Sequence, residues 1–331
     1  MGGGACRPHP TMRAFERFPW LFILPSLVGF LAFNAGPILL SLWISFTHWD
    51  VFQPLTLDTL LKSWAGLDNY RQMLEDPVLK KAFFNTLYYV VVAVPLEIVL
   101  ALALALGLNR RFFGVKIVRT LYLLPTVTSV VAVGLLWRWV LNPYVGPVNL
   151  FLRWLGGKLE ALFGALHLPV PATVHWLATQ GPGWLEDPAW AMLGIIIASV
   201  WAGLGFRMLI FLAGLQNIDP TYYEAAELDG ANNWQKFVHV TLPLLSPTTF
   251  LNTILALIGG FQVFGLIYVM TGGGPLDATN VLLFYLYQKA FGEFPPDMGY
   301  ASAIAWLLFL ILFGLTLLQW QLRKRWVLEE A

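Results

Sequence analysis

The chain has 331 residues, 58% of them hydrophobic and only 12% charged, with a formal net charge of +1. A soluble domain carries about 25% charged residues, so too little polar surface remains to cover a water-soluble globule of this length. The near-zero charge excludes a basic nucleic-acid face, and Cys6, the single cysteine, excludes a disulfide framework or a multi-cysteine metal site.

In chain order, the first ten residues lack the charged-then-apolar order of a cleaved leader, and Cys6 stands where a myristoylation motif takes Ser or Thr. Residues 1–18 read as a short cytoplasmic tail. Six apolar stretches then reach the roughly 20 residues that cross a bilayer as a helix: 20–46, 84–108, 120–141, 190–215, 248–270 and 300–322. The expected fold is an all-α membrane protein with six transmembrane helices over 19–325, followed by a tail at 326–331. Pro25, Pro37, Pro95 and Pro125 fall inside the first three stretches. Kinks are expected there, since neighbouring helices can satisfy the freed backbone groups.

Orientation follows the basic residues near helix ends. Arg13 and Arg17, then Arg110, Arg111, Lys116 and Arg119, then Arg323, Lys324 and Arg325 all fall on one side of a six-span chain. That side is cytoplasmic and holds both termini. Lys62, Arg71, Lys80 and Lys81 lie opposite, but Asp50, Asp58, Asp68, Glu75 and Asp76 accompany them. The longest outer segment is 142–188. Its apolar piece, 148–168, is interrupted by Arg153, Lys158 and Glu160 and reads as an amphipathic helix on the outer surface, with a seventh span as the alternative.

The cytoplasmic link 217–245 is the most informative segment. Asp219-Pro220 is a helix start, the carboxylate capping free N–H groups and Pro suiting the first turn. Gly230 is placed to end that helix in a left-handed conformation. Asn232 with Gln235 forms a capping-box pattern for a second helix, along which Trp234, Phe237, Val238 and Thr241 share a face. Pro243 is expected to stop it. Taken alone, this is a structured helical hairpin, and Glu224 a solvated carboxylate.

Glu224-Ala225-Ala226, Asp229-Gly230-Ala231 and Leu242-Pro243 stand at the spacing of the EAA motif, and the link resembles that of binding-protein-dependent ABC importer permeases. The likeness extends along nearly the whole chain. Gly66 to Tyr70, Asn85-Thr86, Phe211 to Gln216, Thr271 to Pro275 and Met298 to Ala303 resemble the carbohydrate branch, which includes maltose, trehalose, lactose and glycerol 3-phosphate permeases. The resemblance implies a type I importer: a heterodimer with a second related permease, two ATPase subunits at the cytoplasmic face, and an extracytoplasmic solute-binding protein. ATP and magnesium would sit on the ATPase subunits, with no cofactor on this chain. Glu224, Ala225, Ala226, Asp229, Gly230, Ala231, Leu242 and Pro243 would couple the ATPase to the membrane, the small alanines permitting close approach.

Ionisable groups inside spans are costly and face the protein interior. Glu97 and Arg207 sit at similar depth in spans two and four and are expected to pair, unless each finds a partner elsewhere in the assembly. The resemblance places a solute pathway at Ser199, Ala202, Gly203 and Phe206 in span four and at Ala256, Gly260 and Gln262 in span five, with Trp201 a further candidate. Trp201, Phe206 and Gln262 could supply stacking faces and polar groups for a sugar; the small residues serve helix packing equally well. No phosphate loop, metal-ligand spacing or nucleophile elbow is present. An ion-coupled secondary transporter would share the hydropathy but not the Glu224 to Pro243 signature. A membrane-embedded enzyme would need a charged cluster larger than Glu97 with Arg207. An amino-acid or metal permease is the nearest rival within the importers.

Overall fold

The computed structural model describes residues 19–110 and 112–326. Cys6, Arg13, Arg17, Arg111 and the last five residues lie outside the described residues, as does the N-terminal tail. Every named element is helical. Pro19–Phe30 (α1) passes through a π-helical turn, Leu31–Ala35, into Gly36–Ile44 (α2). Leu57–Lys62 (α3) and Asp68–Glu75 (α4) follow, then Pro77–Leu108 (α5), 32 residues long and continuous through Pro95. Next come Val115–Val127 (α6), Val130–Val140 (α7), Pro147–Ala165 (α8), Ala172–Thr179 (α9) and Pro188–Gln216 (α10).

The chain continues through Pro220–Leu228 (α11), Asn233–Lys236 (α12), a π turn at Phe237–Thr241 and Leu242–Leu244 (α13). Ser246–Phe261 (α14), Gly265–Met270 (α15), Leu282–Tyr287 (α16) and Met298–Trp326 (α17) complete it. The last helix runs one residue past the expected boundary at 325.

Four helical stretches are long and apolar enough to cross a membrane unaided: Ile23–Ile44, Pro77–Leu108, Pro188–Gln216 and Met298–Arg323. Two bent pairs raise the number to six if each counts as one span. The kink expected at Pro125 is a full break, with α6 and α7 meeting at 103°. Pro125 supplies no amide hydrogen to its own turn, Thr128 is extended, and the Ser129 hydroxyl accepts from the Val131 N–H to start α7 afresh. The fifth stretch is also divided: α14 ends at Phe261, and Gln262 to Phe264 separate it from α15.

Pro243 does not stop its helix. The chain stays helical through Leu244 and turns at Leu245, where Asn233–Leu244 meets Ser246–Phe261 at 65°. The π turn just before Pro243 explains this. A widened turn opens the space that a proline ring would otherwise contest with the preceding carbonyls.

The packing has two buried apolar clusters. The larger joins α5, α10, α14, α16 and α17 toward the end marked by Leu79, Trp184 and Tyr300. The smaller gathers Ala101, Ala105, Leu108, Leu204, Met208, Leu215 and Leu245 at the opposite end. Glu97 falls between the two along α5, and Arg207 stands at the edge of the smaller cluster, between Leu204 and Met208 on α10. At the first end, Asp76 ties three elements together. Its Oδ1 accepts from the Val78 and Leu79 N–H groups at the start of α5, and its Oδ2 accepts from the hydroxyls of Tyr285 and Tyr300 at 2.6 and 2.7 Å. Burial pushes this carboxyl up, but those four hydrogen bonds outweigh it and hold Asp76 below the ordinary carboxylate range.

The 142–188 segment folds as a helical hairpin of α8 against α9 rather than a lone helix. Asn149 holds its base, donating to the carbonyls of Pro143 and Pro182 and accepting from Trp184 Nε1 at 2.7 Å.

Candidate functional site

Two regions hold most of the residues expected to serve function: the link that leaves α10, and an open cavity bordered by α5, α6, α7, α10 and α14. The link is a rigid piece of backbone. Asp219 Oδ1 accepts from the Thr221 N–H at 2.9 Å, and its hydrogen bonds to Thr221, that from the backbone first, hold this carboxyl below its ordinary range. Gly230 takes φ +79. There the Ala231 N–H donates to Ala226 and the Gly230 N–H to Glu227, the paired bonds that close a helix through a left-handed residue.

Asn232 and Gln235 exchange reciprocal bonds of 2.8 and 2.9 Å. Lys236 Nζ lies 2.6 Å from Glu227 Oε1, and the Tyr223 and Thr241 hydroxyls are 3.0 Å apart. Both contacts pin α11 to the segment that enters α14. Glu224 and Ala225 are exposed and Ala226 half-buried. Ala226, Asp229, Gly230 and Ala231 border a shallow depression of about 280 Å³ with Gln235, His239 and Val240. Leu242 and Pro243 lie beyond it, at the entry to α14.

The cavity has a volume of about 640 Å³, within the roughly 300–1,000 Å³ of small-molecule sites. Ser199, Ala202, Gly203 and Phe206 line it from α10, and Ala256 and Gly260 from α14. Two candidates do not. Trp201 turns away and packs edge-on against Trp137 with ring centroids 5.8 Å apart, and Gln262 is exposed beyond the end of α14. Tyr89 on α5 and Thr126 and Thr128 at the α6–α7 break line the cavity too, and were not anticipated. Tyr89 stands two helical turns before Glu97 on the same face, a spacing from which it could have been found.

Glu97 and Arg207 meet in the cavity wall, Arg207 Nε lying 2.7 Å from Glu97 Oε2. Gly203 makes room for them, since a β-carbon there would coincide with Glu97 Oε1. Arg207 Nη1 donates to the carbonyl of Asn252, whose amide donates back to the carbonyl of Arg207, both at 3.3 Å. The Tyr89 and Ser199 hydroxyls form a second polar contact between α5 and α10.

Helices long and apolar enough to cross a membrane, a mostly apolar cavity among them that carries a few polar side chains, and a rigid hairpin feeding one cavity-lining helix together describe a membrane transport subunit. Its lineage is explicit. The chain belongs to the family of binding-protein-dependent transport system inner membrane components, whose model matches residues 97–326. It is 35% identical to the probable ABC transporter permease protein YesP of Bacillus subtilis, over 100% of this chain and 98% of that one. It is 34% identical to the lactose transport system permease protein LacF of Rhizobium radiobacter, over 93% of this chain and 94% of that one. A solved bacterial alginate ABC transporter, in complex with alginate pentasaccharide-bound periplasmic protein, contains a chain that superposes with a TM-score of 0.74. At 23% identity over 95% of this chain and 96% of that one, the likeness is one of fold.

Proposed function

We propose that this chain is the permease subunit of an ATP-driven importer for a sugar or sugar-like solute, resident in a prokaryotic inner membrane. Its partners would be a second, related permease, two ATPase subunits that hold ATP and magnesium, and an extracytoplasmic solute-binding protein. The chain itself would carry no catalytic step. Family membership supports the transport role, and the lactose permease among its relatives supports a sugar. Both termini would be cytoplasmic. The basic link after α5 and the hairpin after α10 lie at the same end of the bundle, where Leu108, Leu215 and Leu245 pack together.

One observation carries the coupling role. The capped helix α11 is fastened by Tyr223–Thr241 and Glu227–Lys236 to the segment that becomes α14, and α14 lines the cavity. A push on the exposed face of α11 therefore reaches the cavity wall through short, rigid connections. An ATPase seated on Glu224 and Ala225 would open and close the path alternately.

Gly230 tests this. A β-carbon there meets nothing within 4 Å, so only the positive φ is at issue. That conformation costs a β-branched residue about 1–2 kcal/mol and Asn less. With the ATPase, second permease and binding protein reconstituted in proteoliposomes, Gly230→Val should leave membrane insertion and assembly intact but abolish ATP-driven uptake. Gly230→Asn should keep most of it. Normal uptake by Gly230→Val would refute the docking role.

A further inference from the structure

The Glu97–Arg207 pair does more than join α5 to α10. Taking two charges out of water carries a desolvation penalty that their attraction only partly offsets, and a hydrophobic pair at the same place would join the helices without it. The geometry leaves part of the pair's hydrogen-bonding capacity free. Arg207 Nε is ion-paired with Glu97 Oε2 at 2.7 Å without an aligned hydrogen bond, and Nη1 donates to the carbonyl of Asn252. Its Nη2 points toward Gly259, standing 4.0 Å from where a β-carbon on that glycine would be. Glu97 Oε1 rests in the space left by Gly203. Neither atom has a hydrogen-bond partner among the described residues, and all four residues line the cavity.

A carboxylate oxygen and a guanidinium N–H group in one cavity wall offer an acceptor and a donor with no net charge. A hydroxyl group matches that arrangement, because it donates one hydrogen and accepts through its lone pairs. Two hydroxyls on adjacent carbons match it better. A carboxylated solute would meet Glu97 as a like charge. Eight residues away on both helices, or about 12 Å at 1.5 Å per residue, Tyr89 and Ser199 form the second polar rung in the same cavity. The two rungs together span the length of a short saccharide.

We propose that Glu97 and Arg207 form a hydroxyl-binding bracket that selects a neutral polyhydroxylated solute in the cavity. This inference rests on the sugar-import reading above. The test uses the reconstituted complex with lactose, maltose and trehalose as probes, and monodeoxy analogues of whichever sugar is taken up. Each analogue's loss of uptake is measured in the parent, in Glu97→Gln and in Arg207→Lys. The binding protein's own preference is common to all three and cancels.

One analogue should lose about tenfold or more in the parent and at least fivefold less than that in both variants. Gly259→Ala, which puts a methyl beside Nη2 without crowding the protein, should slow uptake of the parent sugar while leaving the melting temperature of the complex unchanged. Deoxy losses identical in parent and variants, with normal uptake by Gly259→Ala, would make the pair purely structural and overturn the proposal while leaving sugar import standing. Absence of ATP-dependent uptake of all three sugars by the parent complex would remove the sugar reading, and the bracket with it.

Discussion

Single side chains decide which residues face the cavity, and rotation about the helix axis matters as much as depth. Ser199, Ala202, Gly203 and Phe206 follow the three-and-four spacing of one helical face, and all four line the cavity. Trp201 is two residues from Ser199, about 200° around the helix, so it meets Trp137 instead. Its depth and its direction were both legible in the sequence, because helical spacing alone turns it from that face. Gln262 fails for a different reason: the helix has ended at Phe261, and an assumed continuous span carried it to the wrong place. Asp76 was visible only as one acid among several in an outer loop, because its two tyrosine donors arrive from more than 200 residues away.

Those bonds give a pH dependence. The carboxyl of Asp76 is held below its unfolded range, so the stabilisation is present above about pH 4 and is lost as pH falls through the depressed value. Asp76→Asn should cost about 1–2 kcal/mol at pH 7, toward the lower figure because the group is partly open to water. Its melting temperature in detergent should be flat across the acid range where the parent's declines. Parallel declines would place the acid sensitivity elsewhere.

Helices and their breaks show where local information suffices. The hairpin after α10 was readable because each of its signals acts within a few residues: Asp219 starts α11, Gly230 closes it, and Asn232 with Gln235 starts α12. The bend between α6 and α7 was legible in place, at Pro125, but its size of 103° was not, because a membrane proline's consequence depends on what packs beside it. Pro243 shows the opposite outcome, absorbed by a π turn that apolar periodicity does not signal. The α8–α9 hairpin offers a direct test of element packing. A β-carbon on Gly156 would lie 2.5 Å from the Ala178 nitrogen and 2.7 Å from its α-carbon, while one on Gly157 would meet nothing. Gly156→Val should therefore destabilise the α8–α9 hairpin by about 1–3 kcal/mol and speed proteolysis between the two helices. Gly157→Val should match the parent, and equal proteolysis of the two variants would contradict the close crossing.

Across the whole molecule, the two buried clusters and the Glu97–Arg207 pair arrange the bundle around one cavity, connected to a rigid hairpin at the end where Leu108, Leu215 and Leu245 pack together. The account stands on mechanical continuity between that hairpin and that cavity. The most direct measurement is thiol labelling of Ala202→Cys, in the cavity wall, in a Cys6→Ser background within the reconstituted complex. An impermeant reagent supplied from the binding-protein side reports whether the cavity is open outward, before and after trapping the ATPase with ATP and vanadate. The account predicts at least a tenfold change in labelling rate on trapping, and no change once Gly230→Val is added. An unchanged rate in the parent, or an equal change with and without Gly230→Val, would contradict it.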